Sequence, residues 1–395
     1  MAGLTIPGAQ GPRLTALPPL ALYVHIPWCV RKCPYCDFNS HEAREELPEA
    51  DYIAALVADL EAALPQVWGR KVYTVFFGGG TPSLFSPAGI EQVITAVRAR
   101  LPLSAEAEIT LEANPGTAEA AKFRDYRAAG VNRLSLGIQS FDPARLKALG
   151  RIHDDAEARR AIELAREHFD NFNLDLMYGL PGQSAQAAAA DLEAALSFAP
   201  PHLSCYHLTI EPNTYFHRYP PALPDDDATA AMQEALEARL AATGYRHYET
   251  SAFALPGRQS RHNMNYWTFG DYLGIGAGAH SKISFPDRIE RAARWRQPKD
   301  YLQRAAAGTA VQESHVVDPA QLGFEFMMNA LRLANGFPLR LFEERAGLPL
   351  TAVLKELDTA EGRGFLTRDH ERVTPTALGR RFLNDLLQIF LRETA

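Results

Sequence analysis

The chain has 395 residues, 47% hydrophobic and 22% charged, with a formal charge of −7. That size and balance fit one large globular domain plus a small one, and exclude disordered and fibrous classes. No apolar run approaches a bilayer crossing, which excludes an integral membrane protein, and the acidic total disfavours nucleic acid as a partner.

The first twenty residues carry Pro, Gly and a single Arg, without a basic start and apolar core, so no secretory signal is read. Residues 1–18 are Pro/Gly-rich and read as a flexible arm. Apolar runs at 21–26, 72–77, 107–112, 132–137, 172–177 and 203–210 read as strands. Stretches rich in Ala, Leu and Glu at 50–64, 87–101, 118–129, 155–168 and 185–198 read as helices between them. Six strands alternating with helices predict a parallel sheet wound by right-handed crossovers. An open sheet covered on both sides is apolar on both faces. Here Glu108, Thr110 and Glu112 share one face of the third strand, and Asn173, Asp175 and Met177 one face of the fifth. Polar residues turned inward favour an α/β partial barrel of six strands over residues 19–211. Six strands are too few to close fully, so a lateral cleft is expected, and chemistry belongs at the strands' C-terminal ends.

Residues 212–317 read as a connecting region. It is Pro-rich from Pro212 to Asp227, helical at 228–243 and loop-like over 246–296. Residues 318–395 read as helix, helix, a hairpin over Gly364–Pro375 and a last helix, a mostly helical cap of winged-helix type. Its mixed acids and arginines suit a scaffold or lid better than a DNA reader.

Three of the four cysteines, Cys29, Cys33 and Cys36, fall on one loop after the first strand, spaced C-x3-C-x2-C. Unpaired clustered thiols suit a reducing cytosol. Soft thiolates select iron–sulfur clusters, zinc or copper(I). A structural zinc needs a fourth ligand at matched spacing, and the nearby His25 and His41 do not give it. Phe76–Pro82 ends the second strand in Gly78, Gly79 and Gly80, where backbone can approach a ligand and offer N–H groups. Neither a Gly-Lys-Ser/Thr nor a G-x-G-x-x-G pattern follows. Glu112, Gln139, Arg151 and Asp175 sit at or just past successive strand ends. A carboxylate within Asn173-Leu174-Asp175-Leu176 needs a partner, either Arg151 or Arg133 in an internal ion pair or a cationic ligand. Cys205 reads as a small buried strand residue.

With Tyr35 in its aromatic place, the cysteine motif resembles that of the radical S-adenosylmethionine (SAM) superfamily. The resemblance implies a [4Fe–4S] cluster on Cys29, Cys33 and Cys36 whose open iron takes the amino and carboxylate groups of SAM. It also implies that the glycine run receives the methionine amino group. From Tyr23 to the C-terminus the motifs are similar to the oxygen-independent coproporphyrinogen III oxidase family. These are Gly-Gly-Gly-Thr-Pro, Glu112-Ala-Asn-Pro, Gly137-Ile-Gln139-Ser-Phe, Arg151 and Asp175-Leu-Met-Tyr-Gly-Leu-Pro-Gly. They lie closer still to its homologues, the HemW group of heme chaperones. Carried over, Tyr23, Gly79, Glu112, Gln139, Arg151 and Asp175 match SAM contacts. In the oxidase, Gly80-Thr81, Gln139, Arg151 and Asp175 line up with a second SAM.

Phe38 stands where the oxidase has a fourth cysteine, and the stretch before the cluster is shorter than the oxidase's. Both departures disfavour decarboxylation. Arg261–Trp267 matches the H-N-x-x-Y-W pattern of the heme chaperones. It implies His262 as heme-iron ligand, Asn263 as a local backbone anchor, and Tyr266 and Trp267 as flat faces for the macrocycle. Gly274–His280 occurs in both groups and reads as cleft wall. The expected function is a cytoplasmic heme chaperone that passes heme to acceptor proteins, membrane-associated ones included. The oxidase is the alternative, and the charge disfavours a tRNA-modifying enzyme.

Overall fold

The computed structural model describes residues 11–43 and 45–392. Six parallel strands form the centre: β1 (Leu20–Ile26), β2 (Val72–Gly79), β3 (Leu103–Ala113), β4 (Arg133–Gln139), β5 (Phe172–Tyr178) and β6 (His202–His207). Helices α1 (Glu49–Val67), α2 (Pro87–Arg100), α3 (Phe123–Ala128), α4 (Asp155–His168) and α5 (Ala185–Leu196) cross between them. The main apolar core lies between this sheet and the helices, with Leu22, Val24, Val75, Phe77, Leu111, Leu134 and Leu174 at 0–1% exposure. The opposite faces carry Glu108, Thr110, Glu112, Asn173 and Asp175, as the strand alternation predicts. These six strands and their outer helices make the α/β partial barrel expected from the alternation.

The sheet is wider than six strands. The stretch 246–296, expected to be loop-like, supplies β7 (Arg246–Glu249), β8 (Ala252–Ala254), β9 (Asp271–Ile275), β10 (His280–Ser284) and β11 (Ile289–Arg294); β12 (Val311–Val316) follows. The strand order is β12-β11-β10-β9-β1-β2-β3-β4-β5-β6-β8-β7. Only β9 joins in parallel, against β1; the rest extend the sheet as antiparallel neighbours. Strands of three to six residues punctuated by Gly and polar groups carry too little period-two signal to be read in isolation. Within the same stretch lies a short helix, α6 (Arg261–Trp267), which bears the H-N-x-x-Y-W pattern.

A second core packs Phe326, Phe337, Phe342, Leu357, Val373 and Leu386. It is built from helices Pro319–Ala330, Leu339–Ala346 and Leu354–Gly362 and a three-stranded sheet that includes the hairpin Leu366–Arg368 with Arg372–Pro375. The N-terminal arm behaves differently from its composition. Of residues 1–18, the first ten lie outside the described residues, and the rest are tied down. Arg13 N–H donates to the Gly347 carbonyl (2.8 Å), Leu14 N–H to that of Pro286 (2.9 Å), and the Leu14 side chain is buried in the second core. Burying one leucine there is worth about 2 kcal/mol, enough to hold a segment that a Pro/Gly count labels loose.

Candidate functional site

The cysteine loop begins as β1 ends and is fastened from several sides. Trp28–Cys29 pairs with His41–Glu42. Lys32 Nζ donates to the carbonyls of Phe38 (3.3 Å) and Ser40 (3.2 Å). Asn39 Nδ2 reaches the carbonyls of Ala277 and Arg296, both at 2.9 Å, while its own carbonyl takes a bond from His25 Nε2 (2.8 Å). Gly278 (φ 78°) lies against Asn39, and a Cβ there would meet Asn39 Nδ2 at 2.3 Å. The Gly274–His280 segment therefore supports the cysteine loop.

All three cysteines are free, half-buried and line one cavity of about 560 Å³. Their surroundings fit a three-thiolate donor set. Arg151 Nη1 lies 3.7 Å from Cys33 Sγ, and the Ser40 hydroxyl 3.7 Å from Cys36 Sγ. Burial pushes the Cys29 and Cys36 thiols up, so bare thiolates there are costly and iron ligation offsets the cost. Among the described residues no three His, Cys, Asp or Glu groups converge on a point close enough to hold a single ion.

The strand ends supply the opposite wall. Gly79 has φ 114°, and a Cβ there would overlap the His25 ring at 2.4 Å. The N–H groups of this run are not free, however. Gly79 donates to Glu112 Oε2 (3.2 Å), Gly80 to the Ile26 carbonyl (2.8 Å) and Thr81 to that of Trp28 (2.7 Å). The run gives close approach; the unspent hydrogen-bonding groups are side chains. Burial, reinforced by Asp175, pushes the Glu112 carboxyl up to about 8. Asp175 is also raised by burial and takes bonds from Asn173 Nδ2 (2.7 Å) and Ser135 Oγ (3.0 Å). The internal ion pair with Arg151 or Arg133 is absent among the described salt bridges. Arg151 instead bonds Asn114 Oδ1 (2.6 Å) and the Gly137 carbonyl (2.8 Å), besides Cys33. Gln139 closes β4 in the left-handed region at φ 69°, a strained place for a side chain that faces the cavity.

Cys29, Cys33, Tyr35, Cys36, Gly79, Gly80, Thr81, Glu112, Gln139, Arg151, Asp175 and Asn263 thus meet in one cavity. Tyr23, His262, Tyr266 and Trp267 are not among its lining residues. Tyr23 hydrogen-bonds His25 Nδ1 at 3.0 Å beneath it. His262 is 2% exposed. Its Nδ1 and the Thr74 hydroxyl are 2.8 Å apart, its ring stacks on Phe76 (4.9 Å), and Tyr266 packs edge-on (5.1 Å). Its backbone N–H and that of Arg261 bond the two oxygens of Glu108 at 3.1 and 3.2 Å, so a carboxylate from β3 fixes the start of α6. Burial drives the imidazole down to about 3 and keeps it neutral. This placement does not fit an iron ligand open to a macrocycle: Nδ1 is committed and Nε2, though unpartnered, is sealed in the barrel floor. Trp267 lies beneath the Arg332 guanidinium (4.7 Å), which occupies one of its faces.

The sequence reading did not assign several cavity residues a site role: Arg133, Ser135, Asn173 and His202 at the floor and Asn114 at the rim. The alternation Arg133, Ser135, Gly137 along β4 was a usable signal, since every second residue of that strand faces inward. Cys205 is buried in β6, as read.

A family model described as the radical SAM superfamily matches residues 23–195, and one described as the HemN C-terminal domain matches 317–382. The chain is 50% identical to a protein named heme chaperone HemW from Escherichia coli, over 96% of this chain and 100% of that one. It is 47% identical to the heme chaperone HemW of Haemophilus influenzae, over 95% and 99%. Among solved structures it resembles coproporphyrinogen III oxidase (HemN) from Escherichia coli, a radical SAM enzyme, with TM-score 0.80 and 25% identity over 95% of this chain and 90% of that one.

Proposed function

We infer the function from membership: the chain belongs to the heme chaperone HemW family. We propose that it binds heme and delivers it to heme-requiring proteins, and that it carries a [4Fe–4S] cluster on Cys29, Cys33 and Cys36 with exchangeable SAM. The observation that carries this reading is the end-to-end likeness to relatives that bear the heme chaperone name. The oxidase is disfavoured because Phe38, 63% exposed, stands where that enzyme's further cysteine would be. We propose a cytosolic location, which the clustered unpaired cysteines suit, and membrane-associated acceptors among its partners.

Cys29, Cys33 and Cys36 would hold the cluster, which when bound would supply an iron site for SAM. The chain's own residues position and neutralise. Glu112 and Asp175 offer carboxyl groups to a cationic ligand, and the arrival of positive charge favours release of the proton that burial holds on Glu112. Gln139 presents its amide from a fixed backbone, and Tyr35 walls the cofactor. Arg151 holds Cys33 and β4 together. The H-N-x-x-Y-W helix closes the floor: His262 anchors it to β2, and Asn263 alone of the motif reaches the cavity.

Anaerobic reconstitution with iron and sulfide, then hemin titration followed at the Soret band and mixing with an apo-heme protein, tests the reading. Saturable heme binding with transfer is expected, and coproporphyrinogen supplied with SAM and reductant is expected to stay unconverted. Stoichiometric decarboxylation would establish the oxidase instead.

A further inference from the structure

A second recess lies at the other end of the barrel. One cavity of about 260 Å³ is lined by Thr74, Arg261, Met264 and Asn265, and one of about 540 Å³ by Leu17, Arg70, Lys71 and Arg345. They share Pro19, Leu20 and Tyr73 and so form one groove at the N-terminal ends of β1 and β2, under the H-N-x-x-Y-W helix. Thr74, whose hydroxyl holds His262, is part of its wall.

The groove is basic. Arg70, Lys71, Arg261 and Arg345 line it, against Glu344 as the one carboxylate among its described lining residues, and Glu344 lies 3.9 Å from Arg340. Arg70 pairs with Asp271 (2.8 Å), but the same carboxylate takes Lys282 (2.9 Å), so that trio keeps a positive excess. Arg70 Nη1 and Arg345 Nε are buried without a hydrogen-bond partner. Between the cations lie apolar faces: Tyr73 is 40% exposed and Leu17 42%, and Met264 is half-buried. The cluster cavity carries no such excess: Asp37, Asp175 and Glu211 stand against Arg31, Arg133 and Arg151, and burial keeps a proton on Glu112.

We propose that this floor groove, and not the cluster cavity, is where heme docks. The proposal rests on the heme-binding reading above. A flat apolar ring lies against Tyr73, Leu17 and Met264, and its two propionates, which leave the same edge of the macrocycle, meet Lys71 and Arg345. Charge complementarity chooses between the two recesses: a dianion suits the basic groove, and the cluster cavity, which lacks that excess and offers carboxyl groups, suits a sulfonium. The arrangement also gives the H-N-x-x-Y-W helix a part in heme binding through its outer residues, while His262 stays inside.

Hemin and hemin dimethyl ester titrated anaerobically into the cluster-loaded protein test this. Lys71→Glu/Arg345→Glu is expected to weaken hemin binding by roughly tenfold, the effect of reversing two partly screened charges facing a dianion. Tyr206→Ser, at the mouth of the cluster cavity, is expected to leave hemin affinity unchanged. With the ester, wild type and the double variant should bind alike. Should the double variant lose its folded circular dichroism, Lys71→Gln/Arg345→Gln replaces it, with roughly threefold weakening expected. Wild-type hemin affinity in the charge variant, or equal losses for acid and ester, would overturn the groove. Loss in Tyr206→Ser alone would move heme to the cluster cavity. No saturable binding by wild type would sink the heme reading itself.

Discussion

The two ends of the barrel are built from the same strands and solve opposite problems. At the C-terminal end a loop carries three half-buried thiols and faces carboxyl groups whose hydrogen-bonding capacity is only partly used. At the N-terminal end a helix is locked in place: Glu108 holds two of its amides, Ser260 caps it by accepting from the Asn263 N–H (3.2 Å), and Asp271 beneath it satisfies Lys282, Ser284 and Arg70. One end leaves carboxyl groups for something that exchanges; at the other, the polar groups around the helix are spent on fixing it. The contrast teaches that polar residues inside a barrel divide by what their hydrogen bonds do, not by their type.

The comparison can be broken or sharpened by experiment. The largest effect is expected at the open end. Ala at Cys29, Cys33 or Cys36 should abolish the cluster's iron and visible absorption after anaerobic reconstitution while the circular dichroism stays folded. Retained iron in any one of them would show that the tripod is wrong. At the closed end, Lys282→Ala removes one of the two ion-pair partners of the buried Asp271, leaving Arg70 at 2.8 Å, and should cost roughly 1.5–3 kcal/mol in urea unfolding. A cost below about 1 kcal/mol would show that water enters the floor.

The pH dependence of stability should run in opposite directions at the two ends. Unfolded Glu112 ionises near 4.5 and folded Glu112 near 8. The folded chain keeps that proton longer, so this contribution is full below pH 4.5 and is lost as pH rises to about 8. Unfolded His262 binds a proton near 6.5 and folded His262 only near 3, so its contribution is full above pH 6.5 and is lost as pH falls. Unfolding midpoints of the cluster-free protein across pH should show a shallower neutral limb in Glu112→Gln and a shallower acid limb in His262→Gln. Unchanged slopes would mean that neither group is as dry as described. The smallest effect is the cap: Ser260→Ala should lose about 1 kcal/mol in the same assay, without altering iron content.

The open end was legible in the sequence because its parts are local. Three cysteines share one loop, the glycines end one strand, and each polar residue follows a run of apolar ones. The inward face of β3 and β5 followed from alternation alone. The closed end was not legible because its bonds span the chain: Thr74 to His262, Glu108 to Arg261, Arg70 to Asp271. A histidine beside Tyr and Trp looks the same in a string whether it faces solvent or a floor. The antiparallel strands of 246–296 were missed for the related reason that their short runs are stabilised by neighbours far away in sequence. The anchoring of Arg13 and Leu14 was not legible either, because Pro and Gly report local stiffness and say nothing about where one leucine can be buried.

Gln139 shows what the open end demands of the backbone. A glycine would occupy its left-handed angle without strain and should firm up the fold by about 1 kcal/mol. It would also erase the amide that the turn of β4 aims at the cavity. A search for more heat-resistant variants would therefore select against the one amide that this backbone angle turns toward the cavity, and stability gained there would trade against whatever that amide is proposed to hold.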